Sequence, residues 1–245
     1  HSLSDSASNI VGIVGISIAA RPRDKKHPYG HTKFEMLSSL FIGIMMVFIA
    51  LKIMGEAVLN IKNPESLNMT NVSIVILVIT LIINIIVTKY EYSVGKKVNS
   101  YILVSDSLHT KSDVYVSLGV LITLICIKLG FPVIIDKLVS FVVGIFILHG
   151  AYEIFKSTIS ILVDSAVIDE NIIREIVVEF SEIKYIKNIR SRGCENNIYI
   201  DMDIMVEPDM TVEKSHELTH NIENTMREKL NKNIQVATHI EPFHK

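Results

Sequence analysis

Five apolar stretches, each closed by a short polar or charged break, occupy the greater part of the chain: Ile10 to Ala20, Met36 to Leu59, Val72 to Thr88, Val114 to Leu129 and Val133 to Val163. One soluble core has no use for so much apolar length, whereas a helix needs roughly 20 such residues to cross the hydrocarbon of a bilayer. The composition agrees, with 49% hydrophobic and 20% charged residues and a mean hydropathy of +0.39. The pattern predicts five membrane helices. The first is expected to be cut short, because the chain opens at His1 within a helix-like run and without an initiator methionine.

Basic residues orient the bundle. Arg21, Arg23, Lys25, Lys26 and Lys33 separate the first two stretches, and Lys89, Lys96 and Lys97 separate the third and fourth. Loops rich in lysine and arginine stay in the cytoplasm. The alternate loops, Lys62 to Met69 and Gly130 to Asp136, are poor in them and are expected on the far side. Five spans counted from there put everything after Val163 in the cytoplasm.

From Asp164 the texture becomes that of a soluble α+β domain. A helical period runs from Glu170 to Phe180, alternating strands from Tyr185 to Arg192 and Ile198 to Val206, a second helix from Val212 to Leu230 and a last strand from Ile234 to Ile240. The order αββαβ predicts a two-layer sandwich with its helices on one face of a short sheet. The expected division is a transmembrane domain over 1–163 and a cytoplasmic domain over 164–245, the latter carrying 16 acidic and 10 basic residues. Over the whole chain 24 basic and 26 acidic residues leave a net charge of −2, so no global field points to nucleic acid. Cys126 and Cys194 form neither a metal spacing nor a disulfide framework.

Chemistry concentrates ahead of the fourth apolar stretch, in the run SDSLHTKSDVYVS. His109 and Asp113 are four residues apart and so share a helical face. Val114 to Leu129 alone would span only about 24 Å at 1.5 Å per residue, less than the roughly 30 Å hydrocarbon core, which draws Asp113 and His109 below the membrane surface. Ionisable groups at that depth mark a partner or an ion path. His1 and Asp5 repeat the His-x-x-x-Asp spacing in the first stretch, so two helices each offer one imidazole and one carboxylate to a shared point. Two nitrogens and two anionic oxygens suit a tetrahedral zinc ion, where magnesium or calcium would ask for oxygen alone. Gly12, Gly15 and Gly119 are positions where helices could approach closely.

HSLSDSASN, the loop RDKKHPYGHTKFE and SDSLHTKSDVYVS together closely resemble the cation diffusion facilitators, divalent metal/proton antiporters. The resemblance extends over essentially the whole chain. It implies a six-helix membrane bundle, its first helix absent here, followed by a ferredoxin-like or metallochaperone-like αββαβ domain for metal sensing and dimerisation. It implies further that His1, Asp5, His109 and Asp113 hold the transported ion, with zinc first and iron, cadmium, cobalt or nickel as others. Manganese-type members usually lack a histidine at the position of His109. Asp24, His27 and His31 match a loop metal position of the family. Asp201, His216, His239 and Glu241 fall where some members place cytoplasmic ligands, although Lys187 stands where a histidine is expected. Zinc is thus the expected cargo and regulatory ion, and protons, the lipid bilayer and a second copy of the chain are the expected partners, in the plasma membrane and with the C-terminal domain in the cytoplasm.

A different class of function is spelled by His216, Glu217 and His220, the H-E-x-x-H of zinc proteases, with Glu241 as a third ligand. That motif would make the chain a membrane-anchored metalloprotease. A small sheet domain offers such an enzyme little room for a substrate cleft, and the protease reading leaves the paired His and Asp residues of the apolar helices without a purpose.

Overall fold

The computed structural model of the chain describes residues 2–59, 71–132, 134–230 and 232–244, with backbone alone for residues 2–7 and 71. His1 and the expected far-side loop from Lys62 to Met69 lie outside the described residues. Two compact units divide at residue 159.

The first unit is helical: α1 (Ser2–Ala19), α2 (Lys33–Leu59), α3 (Asn71–Lys97), α4 (Tyr101–Lys128) and α5 (Ile134–Leu162). Among the described residues α2 to α5 are long and apolar enough to cross a membrane, and the apolar part of α1, Ser8–Ala19, is shorter. The helices outrun the apolar stretches. Lys89, Lys96 and Lys97 belong to α3 rather than to a loop, where basic side chains near a helix C-terminus favourably meet its partial negative charge. The run SDSLHTKSD is likewise the first half of α4, since Ser100 caps that helix with its hydroxyl on the Leu103 N–H at 3.4 Å.

Ile42, Met46, Ala50, Ile102, Val143, Ile147, Ala151 and Ile154 form the core shared by α2, α4 and α5. α1 packs on α2 and α4, and α3 on α4. The outer side of α3 shows Val75, Ile76, Ile79, Ile82, Ile83 and Ile86, each more than half exposed. Such a surface suits lipid and would aggregate in water. Glu35, in the first turn of α2, reaches the start of α4, accepting from the Ser100 hydroxyl and, at 3.1 Å, from the Ile102 N–H. One carboxylate thereby satisfies an N–H that helix geometry leaves without an internal partner and fixes where α4 begins.

The second unit contains α6 (Glu170–Val178), β1 (Ile183–Cys194), β2 (Asn197–Val206), α7 (Val212–Leu230) and β3 (Ile234–Pro242). β2 is central, antiparallel to β1 and parallel to β3. Ile198, Ile200, Met202, Ile204 and Val206 alternate along β2 and bury against Ile173, Ile176 and Val177 of α6 and Leu218, Ile222 and Met226 of α7. Both helices therefore cover one face. The other face carries Tyr199, Asp201, Asp203 and Met205 from β2. The Ser191 hydroxyl, buried on β1, accepts from the N–H groups of Val167 and Ile168 and donates to the Ile168 carbonyl.

Of the three glycines singled out for close packing, two behave so. A Cβ at Gly15 would collide with the Ser38 side chain and stand 2.8 Å from Ile102 Cδ1, and one at Gly119 would stand 2.9 Å from Val143 Cγ2. Gly12 faces open space. Gly15→Ala is thus expected to destabilise the detergent-solubilised protein by about 1–3 kcal/mol through overpacking. Gly12→Ala should be neutral or stabilise by up to about 1 kcal/mol through helix propensity. Unfolding midpoints of the two variants check this, and a Gly15→Ala midpoint equal to that of Gly12→Ala would refute the close approach of α1.

Candidate metal centres

Three groups of ligand-type residues were expected from the sequence, and the structure treats each differently. In the membrane unit, His109 is 3% exposed and Asp113, one turn on, is half-buried. α4 has 28 residues, so His109 and Asp113 lie about 12 Å and 18 Å from its start at 1.5 Å per residue, deep within a span of roughly 42 Å. Around them Ser105, Ser107 and Ser112 are buried, and each hydroxyl donates to a carbonyl of its own helix: Tyr101 at 2.8 Å, Val104 at 2.6 Å and His109 at 2.6 Å. Self-satisfied serines let helices pack closely without presenting a bare polar atom. Asp5 falls on α1, which packs on α4; its side chain and the whole of His1 lie outside what the structure describes.

The loop between α1 and α2 brings its expected residues together. Ligand atoms of Asp24, His27 and His31 all lie within 4.8 Å of one another. Asp24 Oδ1 accepts the backbone N–H of His27 at 2.6 Å and of Lys26 at 2.8 Å. The N–H of His27 is the largest influence holding this carboxyl below the usual carboxylate range, so it is ionised and ready to ligate. The two rings lie 4.4 Å apart, and His31 stacks on Phe34 at 5.8 Å. Gly30, at φ +95°, makes the turn between them in a conformation that favours glycine. His31 is 6% exposed and its Nε2 lies 3.4 Å from Asp24 Oδ2, while its Nδ1 is buried without a hydrogen-bond partner among the described residues. Two imidazoles and a carboxylate make a donor set that fits a zinc-type ion.

The tail divides its expected residues between two faces. Asp201, His239 and Glu241 are on the open face of the sheet, Asp201 opposite Arg190 and Ala237. His239 Nε2 is 3.7 Å from Glu241 Oε1, and Glu241 Oε2 accepts from the Lys187 ammonium at 2.7 Å. His216 is on α7, in the helix layer that covers the opposite face, with its ring edge-on to His220 at 4.5 Å. Glu241 is accordingly on the wrong side of the sheet to complete a protease site with His216 and His220. Glu217 lines a shallow groove with Glu182, Glu207 and Lys214.

Several participants were not legible in advance. Asp203 lies directly opposite both Lys187 and His239, and Asn188 donates to it at 2.6 Å. In the membrane unit Thr110 donates to Glu91 of α3 at 3.2 Å, and Glu35 caps α4. Glu91 follows the third apolar stretch in the run KYEYS, where nothing in the local pattern singles it out.

Residues 1–163 match the cation efflux transmembrane domain and residues 167–243 the cytoplasmic domain of cation efflux proteins. The chain belongs to the cation efflux family, the cation diffusion facilitators. It is 28% identical to an uncharacterized transporter of Methanocaldococcus jannaschii, matching over 92% of this chain and 80% of the relative. It is 27% identical to the manganese efflux system protein MneS of Bacillus subtilis, over 93% of this chain and 79% of that one. It is also 27% identical to the metal cation efflux system protein CzcD of Cupriavidus metallidurans, over 86% and 68%. The protein is a multi-pass membrane transporter for the efflux of metal cations, with a cytoplasmic C-terminal domain of the dimerisation type.

If the loop residues hold metal, zinc titrated onto the full-length chain should lose one binding event on Asp24→Ala and again on His31→Ala, seen by calorimetry. Identical isotherms for wild type and both variants would remove the loop site. Glu217→Gln should leave metal transport unchanged, whereas a protease would lose its general base.

Proposed function

We propose that the chain, as a homodimer, exports zinc from the cytoplasm in exchange for protons, through a site built from His1, Asp5, His109 and Asp113. The burial of His109 at depth in α4, with Asp113 a turn away on a helix packed against α1, is the observation that carries this reading. Ser8 and Gly15 are on the inward face of α1, which packs against α4. Two carboxylates offset the double charge of the ion, which otherwise has no place in hydrocarbon. Imidazole supplies the preference for zinc over harder ions.

The same imidazoles supply the coupling. A histidine must be neutral to ligate, so metal and proton compete for one nitrogen, and the unperturbed imidazole titrates near 6.5, within the working range. Protons arriving from the far side displace the ion, and neutral cytoplasm reloads the site. The loop of Asp24, His27 and His31 is a second cytoplasmic binding point for the same class of ion.

Manganese is the second reading, supported by the likeness to MneS. Proteoliposomes with a panel of metals separate the two: zinc flux far above manganese flux supports the site proposed here, and the reverse order overturns the zinc assignment. Asp113→Ala and Asp5→Ala should each reduce flux to the background of empty vesicles while the protein elutes as a folded dimer. His1→Asp should keep transport and shift preference toward harder ions or cadmium. A proton gradient opposed to metal movement should accelerate flux, a protonophore should slow it, and His109→Ala should flatten the pH response. Flux indifferent to the gradient would make the protein a facilitator and end the antiport reading.

A further inference from the structure

The open face of the tail sheet already contains a cation. Lys187 of β1 is opposite Asp203 of β2, and Asp203 is opposite His239 of β3. The Lys187 side chain crosses the central strand to reach Glu241 at 2.7 Å, tying β1 to β3, and both groups are about two-thirds buried, at 35% and 29% exposed. A bulge makes this possible. Between Lys187 and Arg190 the register slips, and Asn188 takes a φ of +54°, from which its amide donates to Asp203. The ammonium thereby pairs with Glu241, with Asp203 between them on the central strand and His239 3.7 Å from Glu241.

We infer that Lys187 takes the place of a metal ion on this face, so that Asp203, His239 and Glu241 hold no divalent ion and the tail assembles without one. Without Lys187, the carboxylates of Asp203 and Glu241 would stand near the His239 imidazole with no cation of the protein to offset them, a donor set of the zinc type once drawn together. With it, one of the two negative charges is neutralised by a group that has only donors and no lone pair to offer a metal while protonated. The hydrogen bond it donates to Glu241, reinforced by the charges of Glu241 and Asp203, holds the Lys187 ammonium's pKa above the usual lysine range. The remaining charged groups of the face, Arg190 and Arg192 from β1, add repulsion toward an incoming cation, and Asp201 is opposite Arg190.

The test counts zinc bound per full-length chain in detergent, a readout that includes the membrane and loop sites equally in every variant and does not depend on transport. Wild type and His239→Ala are expected to bind the same amount. Lys187→His, which removes the ammonium and adds an imidazole, is expected to gain one equivalent, and His239→Ala in that background to abolish the gain. Lys187→Met separates loss of charge from gain of a ligand, and should gain less than Lys187→His. Wild-type protein is also expected to remain dimeric in excess chelator. Loss of a zinc equivalent on His239→Ala in the wild-type chain would overturn the inference even if Lys187→His failed to fold. So would a folded Lys187→His chain with no added zinc, or a wild-type dimer that separates in chelator and returns with zinc.

Discussion

Water does not reach the middle of a membrane helix, and every polar atom placed there must be satisfied by the protein or by a guest. α4 carries an unusual load of such atoms for a membrane helix. Ser105, Ser107, Ser112 and Thr110 meet the requirement by turning their hydroxyls onto carbonyls of the same helix, and Thr110 also reaches Glu91. His109 and Asp113 are of another kind, able to change charge and to ligate. The remaining helices are arranged about this one: α1 and α2 pack on it, α3 lies along it with its outer side given to lipid, and Glu35 fixes its first turn.

The tail obeys a milder version of the same rule. Its open face is wet enough to carry charge, yet the charges there pair across three strands. The helix-covered face is built from an uninterrupted β-branched and methionine alternation on β2, which leaves no doubt about the parity of that strand. Because α7 covers one face and Glu241 lies on the other, a metal-ligand motif spelled correctly in sequence is divided in space.

Much of this was legible in the residues. Long apolar runs and the lysine-rich breaks gave the helices, and strict alternation gave the strands of the tail to within a few residues. The resemblance to the family pointed to Asp24, His27 and His31 in the loop, and the turn at Gly30 brings them together. Three things were hidden. The helix ends were set too short, because a helix does not stop where hydrophobicity does. The bulge at Asn188 shifts the parity of β1, so neither Arg190 nor the reach of Lys187 to Glu241 follows from counting. The Glu35 cap joins residues 67 positions apart, a distance over which local pattern is silent.

The loop cluster and the cap of α4 are also neighbours in sequence. His31 accepts the Phe34 N–H at 2.9 Å and stacks on its ring, and the next residue is Glu35. One turn thus has a ligand-type side chain on its near side and the anchor of α4 on its far side. Only three residues separate His31 from Glu35, so the loop cluster and the anchor of α4 share one turn of backbone.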